Sequence, residues 1–167
     1  ELGLTDIQVM YHYTGDLKAT PEAQTLAGSW YNAGTEVIFA CGGPVGNSVM
    51  AAAEPVGAYV IGAELDQSEQ STTVITSAMK NLPAAVYMAV KAFYDGEFHG
   101  GVIDRLNAAN DGICLPMDTS KFTTFTQGNY DAIYSKLVAG EIAIPVDTDH
   151  ASATELANDA VTVIMVE

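Results

Sequence analysis

The strongest constraint on this chain is an alternation: short apolar runs rich in β-branched residues take turns with segments of helical spacing through residues 7–80. Ile7 to Tyr13 has strand composition and stops at the turn sequence Thr14-Gly15-Asp16. Thr20 is a candidate helix cap with Pro21 in the first helical position, and Ala23, Leu26, Ala27, Trp30 and Tyr31 recur at helical spacing up to Asn32-Ala33-Gly34. Val37 to Cys41 is a continuous apolar run, the pattern of a parallel strand covered on both faces. Ser48 to Glu54 reads as a helix stopped by Pro55 and Gly57, and Ala58 to Ala63 as another buried strand. Units alternating in this way build an α/β fold, an open and mostly parallel sheet with helices on both faces. Ligands of such sheets sit beyond the carboxyl ends of the strands, which directs attention to the loops at 13–17, 41–47 and 64–67.

Further along, Thr72 to Ser77 reads as a strand and Pro83 to Tyr94 as an amphipathic helix, with Val86, Val90 and Phe93 on one stripe. Gly100 to Ile103 and Gly112 to Leu115 resemble short strands, and Tyr130, Ile133, Tyr134 and Leu137 mark a helix ending at Gly140. In the tail, Ser152 to Ala160 has the pattern of a helix, while Val161 to Val166 has strand composition and no obvious neighbour.

Composition excludes several functions. Half of the 167 residues are hydrophobic, which is material for a sizeable core rather than a disordered acidic chain. With 21 Asp and Glu against 6 Lys and Arg, the net charge of −15 repels phosphate backbones and anionic headgroups, so neither nucleic acid nor a membrane surface is an expected partner. Cys41 and Cys114 are far apart, without redox or zinc spacing, and Cys41 after its apolar run reads as a small core residue. His12, His99 and His150 stand apart from one another. No nucleophile elbow or metalloprotease motif is present, so binding is expected rather than catalysis, with no cofactor and no metal.

Three places carry candidate chemistry. Gly42-Gly43-Pro44-Val45-Gly46-Asn47 lies between a strand and a helix, where backbone N–H groups favour an acceptor, but it matches neither a P-loop nor GxGxxG. Glu64 and Asp66 are spaced so that on an extended chain both face one side and can accept hydrogen bonds from hydroxyls, although a charge pair at a strand end is commonly just solvated. Lys80, one of few cations, closes Thr76-Ser77-Ala78-Met79 at a strand-to-helix junction.

Val37 to Asn47, Tyr59 to Gln67 and Thr76 to Lys80, in that order and spacing, resemble the basic membrane protein family of substrate-binding lipoproteins, and the similarity runs from Ile7 to Pro145. The resemblance implies a type I periplasmic-binding-protein fold and the receptor of a bacterial ABC importer, extracytoplasmic and lipid-anchored, which closes two lobes on a purine nucleoside and presents them to a membrane permease. It also implies ligand contacts from Gly42, Gly43, Asn47, Glu64, Asp66 and Lys80, with Glu64 standing where Asp is usual. Leu17 takes the place of an aromatic residue that stacks on the base. Residues 1–79 would then be the C-terminal lobe, 80–145 a hinge-crossing helix with further lobe elements, and 146–167 a tail. The first lobe would precede Glu1, leaving the 83–94 helix without its cover and the fragment prone to oligomerise or repack. Two other readings are a ligand-sensing domain of a signalling or transcriptional regulator and a small flavodoxin-like enzyme.

Overall fold

The computed structural model describes residues 3–146 and 148–167; Glu1 and Leu2 of the expected first region and Asp147 of the expected tail lie outside the described residues. Two compact units emerge. Asp16–Glu141 forms one, and the segments up to Gly15 and from Ile142 onward form the other.

The larger unit is built on strands β2 (Val37–Phe39), β3 (Tyr59–Glu64), β4 (Val74–Lys80) and β5 (Ile113–Cys114), hydrogen-bonded in that order. The first three are parallel and β5 is antiparallel at one edge. The chain is thus of the α/β class with an open, mostly parallel sheet. Helix α1 spans Pro21–Asn32 and α2 spans Val45–Ala53, connecting β2 to β3; α3 is Leu82–Asp95 and α4 is Gln127–Val138. Short 3-10 turns occupy Glu54–Val56, Ala108–Asn110 and Ala153–Leu156.

Local chemistry accounts for these boundaries. The Thr20 hydroxyl accepts a hydrogen bond from the Ala23 N–H at 3.1 Å with Pro21 in the first turn, as its sequence predicts. The same residue joins α1 to α2: its N–H donates to Ser48 Oγ, and that hydroxyl donates back to the Thr20 carbonyl, both at 2.9 Å. Gly57, at φ 64°, turns the chain into β3, a conformation that costs glycine nothing. The core joins Ala27 and Tyr31 of α1, Ile38 of β2, Val49, Met50 and Ala53 of α2, Val60 of β3 and Val74 of β4. Val60 and Val74 are completely buried, each stabilising the fold by about 1.5–3 kcal/mol relative to an exposed side chain. Tyr31 donates to the Tyr59 carbonyl at 2.9 Å, and burial raises its phenol pKa to about 12.

The expected cover on both faces of Val37 to Cys41 is not found. Ile38 and Ala40 are buried while Val37 and Phe39 are exposed, because α1 and α2 both contribute to the core on the Ile38 side. Cys41 is likewise exposed rather than a core residue, since β2 has ended before it. Gly100 to Ile103 forms no strand; Val102 and Ile103 are exposed and have no ladder partner. Helix α3 has no buried residue, with Val86, Val90 and Phe93 at 63%, 51% and 66% exposure.

In the smaller unit, β1 (Ile7–Tyr11) pairs in parallel with β6 (Val161–Met165), from Ile7 opposite Val161 to Tyr11 opposite Met165. The tail strand therefore has a neighbour at the far end of the sequence. The His12 ring Nδ1 lies 2.8 Å from the Val166 carbonyl and the Tyr11 hydroxyl 3.0 Å from Ser152 Oγ, so side chains reinforce the ladder. The tail helix expected over Ser152 to Ala160 contracts to the single turn Ala153–Leu156 capped by Ser152.

Candidate functional site at the carboxyl ends of β2, β3 and β4

Parallel strands place their last residues on one edge of the sheet, and here that edge gathers three of the sequence candidates. Lys80 ends β4 and Glu64 ends β3, with Lys80 Nζ 2.6 Å from Glu64 Oε1. The backbone of Lys80 is fixed from the other side by β5, where it pairs with Ile113, and the Asn81 N–H donates to the Gly112 carbonyl at 3.0 Å. Asn81 then caps α3, its side-chain oxygen accepting from the Ala84 N–H. Both charged side chains are more than half exposed, so the pair is open to solvent and to a ligand. The Glu64 hydrogen bond, and then its charge, raise the Lys80 pKa above the ordinary value, with the neighbouring Cys41 adding to the effect.

The glycine loop supplies the floor. Gly43 sits at φ 58°, and a Cβ there would lie 3.6 Å from Glu64 Oε2, so this backbone runs directly beneath the carboxylate. At Gly42 a Cβ would come within 2.9 Å of Val45 Cγ1 and 3.4 Å of Leu17 Cδ2, which leaves room for glycine alone and puts Leu17 against the loop. Asn47 is exposed on the first turn of α2 and lines an open groove of about 280 Å³ with Thr20, Gln24 and Ala51 at the start of α1, instead of the strand ends. A larger groove of about 350 Å³ between α1 and α2, including Thr25, Gly28 and Pro55, also lies away from the charged pair.

Glu64 and Asp66 do not act as one pair. Glu64 is at φ 71°, and the Leu65 N–H donates to the Ala63 carbonyl at 2.9 Å, the geometry of a γ-turn with positive φ. Such a turn is not extended, so the alternation that would aim both carboxylates together is broken. A non-glycine residue in this region costs about 1–2 kcal/mol and persists only where neighbours hold it. Asp66 turns to other partners: Oδ1 accepts from the Ser68 N–H at 3.0 Å and Oδ2 from the Thr119 hydroxyl at 2.6 Å. Burial pushes its pKa up, but the Thr119 and Ser68 hydrogen bonds outweigh this and hold the carboxyl below the ordinary value.

Three residues of the site escape sequence reasoning. Thr119 lies 53 positions beyond Asp66 and arrives on a loop held by Ser120, which bonds Thr76 Oγ1 at 2.8 Å, and by the Lys121 N–H, which donates to the Ile75 carbonyl at 2.7 Å. Gln67 and Ser77 are buried beneath the γ-turn, where Gln67 Oε1 accepts from the Ala63 N–H at 2.9 Å and Ser77 Oγ accepts from the Gln67 N–H at 3.0 Å. The only sequence signal for them is their place beside candidate residues. Among the described residues, no cluster of three or more His, Cys, Asp and Glu is arranged for a metal ion, and no helix is long and apolar enough to cross a membrane.

Comparison with known proteins extends this picture. The chain is 26% identical to the ABC transporter nucleoside-binding protein BmpA of Lactococcus lactis subsp. cremoris, over 84% of this chain and 45% of that protein. It is 29% identical to basic membrane protein D of Borreliella burgdorferi, over 86% and 44%. It therefore spans less than half the length of these relatives. Among solved structures, a transcriptional activator of the comK gene from Bacillus halodurans superposes with a TM-score of 0.60 at 17% identity, covering 76% of this chain and 44% of that one. A solute-binding protein of an ABC transporter system from Aeropyrum pernix superposes with 0.58 at 23%, covering 83% and 48%. At such identities the superpositions establish a shared fold, of the periplasmic-binding-protein kind, and no more. The model of the ABC transporter substrate-binding protein PnrA-like family matches residues 5–148, and the chain belongs to that family, one of solute-binding proteins rather than enzymes.

Proposed function

We propose that the complete protein is the solute receptor of an ABC importer and that the carboxyl ends of β2, β3 and β4 form this lobe's half of a nucleoside site. The observation that carries the reading is the convergence of Glu64, Lys80 and Gly43 on one sheet edge within a chain of this family. Glu64 accepts hydrogen bonds from the paired hydroxyls of a ribose, Lys80 holds the carboxylate in place and offers its remaining protons, and Gly42 and Gly43 let the ligand approach the backbone. Leu17 gives the base an apolar contact without a stacking face. Asp66 acts through the loop it ties to Thr119. Asn47, on the first turn of α2, reaches the ligand only if that turn shifts. A lipid anchor, an extracytoplasmic location and a permease partner follow from this reading.

The second half of the site comes from another lobe in the proposed receptor, and the exposed Val86, Val90 and Phe93 stripe of α3 packs against it. Calorimetric titration of the complete protein with guanosine, inosine and D-ribose tests the proposal. Saturable binding of the nucleosides, tighter than that of ribose, supports it; a folded protein that binds none of them refutes the ligand assignment.

A further inference from the structure

We propose that Gln67 is the positioning residue of the Glu64–Lys80 pair, holding the carboxylate over Gly43 through the Ala63 amide. Gln67 is 7% exposed, an uncommon place for a carboxamide unless its polar atoms are used. Each is used. Its Oε1 accepts from the Ala63 N–H, the amide immediately before the γ-turn residue; its own N–H is held by Ser77 Oγ; and its Nε2 donates to Gln70 Oε1 at 3.2 Å. Ser77 is completely buried on β4, so Gln67 is anchored to the strand that also carries Lys80.

Gly62 shows how closely the device is fitted. A Cβ at this position would stand 2.6 Å from both Gln67 Oε1 and Ser77 Oγ, so the carboxamide fills the volume that any other residue would claim. The backbone at Glu64 therefore departs from the extended strand at the point where the side chain of Gln67 replaces a ladder acceptor for Ala63. Without that acceptor the Ala63 N–H would be left buried and unpaired, and the chain would relax toward a conformation that no longer aims Glu64 at Lys80. The inference extends the site reading above, on which its consequence for ligand rests, while the positioning itself is measurable with no ligand present.

The test compares the complete protein with Gln67→Met, which keeps the length and removes the acceptor, and with Gln67→Glu, which restores it. The readouts are the titration of the Lys80 ammonium by ¹⁵N-detected resonance and hydrogen exchange at individual amides. In Gln67→Met the Lys80 midpoint is expected to fall to that of Glu64→Gln, and the Ala63 amide to exchange about tenfold faster or more while Val60 and Val74 stay protected. Gln67→Glu is expected to recover the Ala63 protection, a readout that its added charge does not itself move. An unchanged Lys80 midpoint in Gln67→Met overturns the proposal, as does loss of protection throughout β3 and β4, which would make Gln67 a packing residue only. Should Gln67→Met fail to fold, Ser77→Ala carries the same comparison with the same expected directions. Guanosine titrated into the same proteins separates the two claims: if wild type binds none while Lys80 still depends on Gln67, the positioning role stands and the nucleoside assignment falls.

Discussion

The ammonium of Lys80 lies 2.6 Å from the Glu64 carboxylate, joining the last residues of two neighbouring parallel strands above a glycine backbone. The pair has a definite pH behaviour. Because the folded-state pKa of Lys80 is raised by Glu64, its contribution to stability is fully present below the ordinary value of 10.5 and is lost as pH rises through the folded value. Glu64→Gln is expected to lower the Lys80 midpoint in a resonance titration, with little change in thermal stability near neutrality, since solvent screens so exposed a pair.

Asp66 behaves in the opposite sense. Its folded pKa lies below the ordinary 3.8, so its stabilisation is present above that value and is lost as pH falls through the folded one. Removing the Thr119 hydroxyl donor with Thr119→Val should raise the Asp66 midpoint and cost about 0.5–1 kcal/mol at pH 7, after allowance for solvent at this half-buried site. Urea unfolding of the two proteins should converge once Asp66 is protonated in both.

Gly62→Ala is the sharpest packing test. A methyl group 2.6 Å from Gln67 Oε1 and Ser77 Oγ has no space unless the clamp opens, so a loss of about 1–3 kcal/mol is expected from denaturant midpoints. Gly28, with open space around it and ordinary φ on α1, provides the contrast: Gly28→Ala should be stabilising by about 0.5–1 kcal/mol.

The elements most legible in the sequence are those fixed by local chemistry. Thr20 and Pro21 start α1 where their types require, and the apolar runs at Val37 and Tyr59 become strands of the expected parallel sheet. Lys80 and Glu64 could be nominated because they end apolar strands, and parallel strands bring their ends together. What stayed hidden depends on distant partners. The β1 strand needed β6 from the opposite end of the chain, Asp66 needed Thr119, and the departure of Glu64 from extended geometry needed Gln67 and Ser77 below it. Cys41 lies outside the core for a related reason: an apolar run tells nothing of where helices cover it, and β2 stops at Phe39.

The stripe of Val86, Val90 and Phe93 on α3 has a consequence for the chain of residues 1–167 in isolation. Apolar faces of this kind are covered by association, so light scattering should detect a species larger than a monomer as concentration rises. Val90→Glu should shift that species back toward the monomer without lowering the unfolding midpoint. A strictly monomeric wild type at high concentration would contradict the expectation.

Calorimetric titration of guanosine into the complete protein and its Glu64→Gln variant tests most directly whether the Glu64–Lys80 edge binds a nucleoside. Saturable binding by wild type and about tenfold or greater weakening in the variant are expected, from the loss of a charge-assisted hydrogen bond to ribose. Equal affinity in the two folded proteins would contradict binding at that edge.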